Sequence, residues 1–197
     1  YSIKVKYNLK NAHYAMLTVD EEGTVSYAPP VALPGAVSIS LDANGEPENF
    51  YADGVAYYVI NNNMGYDGDL ELAMIPEDFR VSALNETLDD KKVLIENANT
   101  ELNPFALLFE FDGDVKHIRH VLYNCSASRP GIEGKTNEEN REVQTETLSI
   151  KATPLASGVV KAKTGDSTDA AVYADWYKAV YMPSIAETGS GTDQAGV

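Results

Sequence analysis

The sequence predicts a mainly β protein, a β-sandwich or partial barrel with one or two short helices. Three observations carry this expectation. Most apolar stretches run roughly four to eight residues, are rich in Val, Ile, Tyr and Phe, and are bounded by Gly, Pro, Asn or Asp. Several alternate apolar and polar residues with period two, as a strand with one wet face requires. Only two stretches repeat with a helical period, and nothing alternates strand with helix in the manner of a parallel α/β sheet.

Taken in order, residues 12–19 (Ala-His-Tyr-Ala-Met-Leu-Thr-Val) form a strand ending at the turn cluster Asp20-Glu-Glu-Gly23. Residues 24–27 form a short strand that stops before Pro29 and Pro30, which cannot donate ladder hydrogen bonds. In 36–41, Val37, Ile39 and Leu41 share one face, and Asp42-Ala-Asn-Gly45 turns the chain. Residues 55–60 are a strand. Residues 68–75 alternate most clearly, with Leu70, Leu72 and Met74 on one side and Asp69, Glu71 and Ala73 on the other. A first helix is expected over 76–84, opened by Pro76 with Glu77 and Asp78 favouring its dipole. Residues 105–111 and 115–125 read as a hairpin about Asp112-Gly113. The polar stretch 126–142 reads as a long loop, and strands follow at 143–152 and 158–163. A second helix is expected over 170–181. The cluster Asp166-Ser-Thr-Asp169 supplies N-caps, and Val172, Trp176 and Val180 form one stripe. The domain is expected to span 1–183, followed by a flexible polar tail at 184–197.

The chain of 197 residues carries 30 acidic and 15 basic side chains, a formal net charge of -15. Almost all of the excess lies between residues 42 and 114, which hold 17 acidic and three basic residues. Binding nucleic acid through phosphate neutralisation needs the opposite sign. No apolar run reaches the length of a membrane helix, so no membrane partner is expected. A single cysteine, Cys125, precludes an intrachain disulfide.

The search for chemistry returns little. His117 and His120 lie three apart on an expected strand, hence on opposite faces, and do not share a metal. The run Asp42-Ala-Asn44-Gly-Glu46 has alternating oxygen ligands, but Pro47 and Asp53 occupy places where a calcium loop needs Gly and Glu. Asp69 with Glu71, and Glu110 with Asp112, are the carboxylate pairs best placed for acid–base work on a sugar. Apolar opposite faces make them equally the wet sides of amphipathic strands. No nucleophile elbow and no phosphate loop in a strand–helix context is present. The expectation is a protein that is not an enzyme and uses no cofactor or metal.

Several segments nevertheless form a familiar series. They are Tyr-Asn-Leu-Lys-Asn-Ala-His-Tyr at 7–14 and Pro-Val-Ala-Leu-Pro-Gly-Ala-Val-Ser-Ile-Ser-Leu-Asp at 30–42. Phe-Tyr-Ala-Asp-Gly-Val-Ala-Tyr-Tyr at 50–58 and Gly-Tyr-Asp-Gly-Asp-Leu-Glu-Leu at 65–72 follow. The series continues at 103–114, 120–130 and 143–148, and closes with Ala-Val-Tyr-Ala-Asp-Trp at 171–176. In order and number these resemble the major tail protein family of bacteriophages with long, flexible, non-contractile tails, over most of residues 5–183. The resemblance implies a structural protein of the virion, assembled in the host cytoplasm. Six copies would form a ring, and stacked rings a tail tube that conducts DNA to the host. Tape-measure, tail-tip and tail-terminator proteins would be its other partners. Some relatives carry a further immunoglobulin-like module at the C-terminus.

Such a tube needs a wide barrel. If each of six copies gave four strands, a spacing of about 4.8 Å and a tilt of about 40° give a backbone diameter of about 48 Å. Side chains then leave roughly 35–40 Å, room for a DNA duplex. An acidic wall would repel DNA and keep it mobile. Asp67, Asp69 and Glu71 are the expected lumen-facing residues, with Glu110 and Asp112 as further candidates. Lys4, Lys6 and Lys10 of an N-terminal arm, with the stretches 42–49 and 126–142, are the expected contacts between rings. The alternative is a monomeric β-sandwich binding module for a carbohydrate or a surface partner.

Overall fold

A computed structural model describes residues 7–45, 48–52, 55–60, 63–112, 116–136 and 143–183. The protein is mainly β, with antiparallel sheets and two short helices. The elements are β1 (Tyr7–Val19), β2 (Val25–Tyr27), β3 (Val31–Ala32), β4 (Ala36–Asn44), β5 (Glu48–Ala52), β6 (Val55–Ile60) and β7 (Gly65–Leu72). They continue with α1 (Glu77–Ser82), β8 (Thr87–Leu88), β9 (Leu94–Ile95), β10 (Phe105–Asp112), β11 (Ile118–Ala127), β12 (Glu146–Ala152), β13 (Lys161–Lys163) and α2 (Ala170–Ala174).

One nine-stranded sheet runs β2–β1–β10–β11–β12–β7–β4, with β13 beside β11 and β3 beside β1. The sheet curls. β3 pairs β1 through His13–Ala32 and Tyr14–Val31, and leads after three residues into β4 at the far end of the strand order. β4 thereby returns to within 8 Å (Cα–Cα) of β1. The curl encloses one core of Tyr14, Leu33, Leu70, Leu72, Phe79, Phe105, Leu107, Leu122, Leu148 and Ile150. Phe79, the buried residue of α1, stands edge-on to both Tyr14 and Phe105 and packs into this core.

A second core lies on the opposite face of β1, β10 and β11. Ala15, Leu17, Ala106, Leu108, Val121 and Tyr123 meet Leu155 and Trp176 there. The chain after β13 is a strap that covers this face. Asp169 opens it by accepting hydrogen bonds from the backbone N–H groups of Ala171 and Val172, closing the first turn of α2. The Trp176 indole N–H donates to the His120 carbonyl at 3.3 Å, and the Tyr123 hydroxyl to the Tyr181 carbonyl at 2.6 Å.

Several expectations are corrected. α2 ends at Ala174, not at 181; Val172, Trp176 and Val180 still reach the second core, through turns rather than a continuous helix. Val37 sits at a β-bulge between Ala36 and Ser38 and is exposed, so only Ile39 and Leu41 of its trio face inward. β7 stops at Leu72, which leaves Met74 70% exposed. Within the stretch expected to loop at 42–49, residues 42–44 belong to β4 and residues 48–49 to β5. β5 and β6 pair as a separate two-stranded hairpin beyond the Asn44–Gly65 end of the β4–β7 ladder. Of the expected loop 126–142, residues 126–127 close β11, residues 128–136 carry neither helix nor strand, and 137–142 lie outside the described residues.

Candidate functional site

β7 is flanked by β4 and β12 along its length, and the register aligns their outward residues in rows. One row is Ser38, Glu71 and Thr147; the next is Ser40, Asp69 and Ser149; the third is Asp42, Asp67 and Lys151. Directly paired residues of antiparallel strands point to the same side. All nine face away from the core, and only Glu71 is as much as half-buried. The inward partners are Ile39, Leu41, Leu70, Leu72, Leu148 and Ile150. The result is a three-stranded sheet with a hydrocarbon side and a side made wholly of hydroxyls, carboxylates and one ammonium.

The central carboxylates are held by their neighbours. Glu71 accepts from the Thr145 hydroxyl at 2.6 Å and from the Ser38 hydroxyl at 3.1 Å. Asp69 accepts from the Ser149 hydroxyl at 3.3 Å, and Asp67 from the Asn44 side-chain amide. These bonds fix the carboxylates upright on the sheet. Asp42 directly opposite Asp67 is a like-charge pair, which costs stability, and Lys151 on the other side of Asp67 offsets it. The β4–β7 ladder under this face has a register-forcing device. A Cβ on Gly68 would lie 1.7 Å from the Ser40 carbonyl oxygen, so only glycine lets β4 approach β7 here.

Asp67, Asp69 and Glu71 therefore stand together on one open face, as their spacing indicates. Sequence reasoning missed Ser38, Ser40, Asp42, Thr147, Ser149 and Lys151. Their period-two alternation was legible, but the pairing of β4 and β12 with β7 joins segments far apart in the chain, and no local signal states it.

Glu110 is different, and its expected place on a wet face is overturned. Its side chain is fully buried, because β10 has a core on each side. The run Phe105-Ala-Leu-Leu-Phe109 is continuously apolar, the pattern of a strand covered on both faces. Glu110 accepts hydrogen bonds from the Asn11 amide, from His117 Nδ1 at 2.9 Å and, at 3.5 Å, from Arg119 Nε. Arg119 continues outward. Its guanidinium donates to the Tyr173 carbonyl and lies 4.0 Å from the centre of the Tyr173 ring. Glu110 thus fastens β1, β11 and the strap together. Asp112, one step beyond, is only part-exposed and is taken up by Lys10 Nζ at 3.1 Å and His117 Nε2 at 3.3 Å. The hydrogen bond from Lys10, helped by one from Asn8, holds the Asp112 carboxyl below its usual range.

Lys10 belongs to β1 rather than to a free arm; Lys4 and Lys6 lie outside the described residues. His120 stacks on Phe109, while His117 sits among carboxylates, so the two histidines are apart. Cys125 is fully buried, and burial pushes its thiol up to about 12. Among the described residues no cluster of His, Cys, Asp and Glu is arranged to hold a metal ion, and no helix is long and apolar enough to cross a membrane. No protein-family model matches the chain, and no curated protein matches it.

Proposed function

We propose that this chain is the building block of a self-assembling tube, the major tail protein of a long-tailed, non-contractile phage, whose rings of six copies stack into a conduit for DNA. The observation that supports this reading best is the β4–β7–β12 face: a broad polar surface with carboxylates along its middle strand, backed by core and ending at β4, whose outer edge pairs with no strand among the described residues. Repeated around a ring, such faces make a wall that carries DNA without holding it, since like charges repel and few cations are present to trap phosphates. An unpaired outer strand is ordinarily a hazard that proteins guard against; in a ring-forming subunit it is the joint. In this reading Asp67, Asp69 and Glu71 line the lumen, and the tape-measure, tail-tip and tail-terminator proteins meet the tube at its bore and ends. Glu110 has no part in the wall, and Asp112 is engaged within the subunit.

The test is mass by light scattering with negative-stain microscopy as concentration rises. Hollow rings or tubes are expected. Protein that remains monomeric at high concentration, even with tail-tip seeds present, overturns the proposal; a persistent monomer with sugar affinity supports the binding-module alternative.

A further inference from the structure

β11 is shared by two strands: β12 pairs with its residues 125–127 and β13 with its residues 120–122. β7 follows β12 as far as the Tyr66–Ala152 pair, and among the described residues no ladder joins β7 to β13. Side chains span that gap, where Lys161 Nζ lies 4.5 Å from the centre of the Tyr66 ring. Tyr66 and Lys161 both line a cavity of about 210 Å³. Its floor is the buried Phe109, His120 and Leu122. The His120 ring lies flat on Phe109, 11° from parallel, and Phe111 stands edge-on to it. The rim is formed by the half-buried Ile39, Leu41, Tyr66 and Phe111, with Lys161 exposed beside them. The cavity is therefore hydrocarbon and aromatic within and carries an ammonium group at its mouth.

Lys163 adds a second cation. Lys161 is paired directly with Leu122 and Lys163 with His120, so both lysines stand on the side of the sheet that these two cavity residues occupy. Both are exposed, and neither forms a salt bridge among the described residues. In a chain of formal net charge -15, two adjacent cations with no carboxylate between them favour an anion from outside. The apolar interior favours a ring, because aromatic walls offer stacked and edge-on contacts together. A dry cavity of about 150 Å³ lined by Leu, Ile and Phe holds benzene, so this one has room for a ring and a short stem. We infer that the cavity binds a small aromatic carboxylic acid, with its ring among Phe109, Phe111 and His120 and its carboxylate at the mouth beside Lys161 and Lys163. The site lies within one subunit and goes beyond the assembly reading, standing whether or not subunits associate.

The test titrates the full chain with phenylpropionate, its neutral amide and phenylpropylamine, following the ring resonances of Tyr66, Phe109 and Phe111 by NMR. The acid is expected to bind with a Kd of about 1 mM or tighter, ordinary for a ligand of about eleven non-hydrogen atoms. The amide is expected to bind at least about threefold more weakly, and the amine more weakly still. Lys161→Glu with Lys163→Glu changes exposed residues only, and is expected to reverse the order so that the amine binds better than the acid. Ile39→Trp puts an indole at the rim of the cavity and is expected to abolish binding of the acid with both lysines in place. No binding of the acid at about ten times the expected Kd overturns the inference. So does equal binding of acid, amide and amine, or an order that survives the two lysine changes, since either removes the cations from the site. Undiminished binding to a folded Ile39→Trp variant, or shifts that spare the three rings, puts the acid elsewhere and overturns it as well.

Discussion

At the scale of single residues, two positions govern how the sheet is built. Gly68 is the point where β4 lies too close for a side chain. Gly68→Ala forces β4 off β7 or breaks their ladder, and is expected to cost about 3 kcal/mol, at the upper end for overpacking, read as a lower urea midpoint at unchanged slope. Glu110 is a buried carboxylate whose partners are cationic or amide groups. Glu110→Ala leaves Arg119 and His117 facing a void and is expected to destabilise by about 3–5 kcal/mol in the same measurement. Asp112 supplies a pH signature. Its folded carboxyl is depressed by Lys10, so its contribution is present above the ordinary carboxylate range near pH 4 and is lost as pH falls through the lower folded value. Lys10→Met is expected to flatten the part of the acid-unfolding curve below about pH 4 that Asp112 produces.

At the scale of elements, the sequence and the structure agree where the code is local. The alternation in 68–72 correctly separates Leu70 and Leu72 from Asp69 and Glu71. The caps at Pro76 and Asp169 start α1 and α2 where expected. They part where burial comes from elsewhere. Glu110 reads as the wet residue of an amphipathic strand if it is paired only with Asp112; the unbroken apolar run 105–109 before it marks a strand covered on both faces, but nothing nearby in the chain says that the strap is the cover. Val37 reads as inward because a bulge leaves no mark in composition. The strap itself hangs on a short helix. Asp169→Ala removes the cap on α2 and is expected to cost about 1 kcal/mol. Hydrogen exchange should then quicken at 170–178 before it changes in β10, since local opening precedes global unfolding.

At the scale of the whole molecule, the sign of charge on the β4–β7–β12 face is the property to vary. Asp67, Asp69 and Glu71 lie on its outer side, and exposed substitutions of this kind cost about 0.5 kcal/mol or less each. Glu71 also loses its bonds to Ser38 and Thr145, so its share is larger. Under the tail-tube proposal, the triple change to Lys is expected to leave a folded protein that still assembles, with DNA ejection slowed most at low salt, where screening is weakest. The check is ejection rate against ionic strength for wild-type and triple-Lys virions. Equal rates at every salt concentration would remove the proposed role of the face.

The β1–β10 ladder joins residues about 100 positions apart, with Tyr7 opposite Asp112 and Lys10 opposite Glu110. At a synthesis rate of roughly 5–20 residues per second, β1 therefore leaves the ribosome roughly 5–20 s before its partner exists. The strap with Trp176, which seals the outer side of both, emerges later still. A nascent chain in this interval holds apolar strands with no neighbours, the state in which a holdase chaperone is most useful and premature strand exchange between chains on one polysome is most damaging. Burial of the central strands is thus completed only when the strap has emerged, and is timed by the last of the described segments rather than by the first.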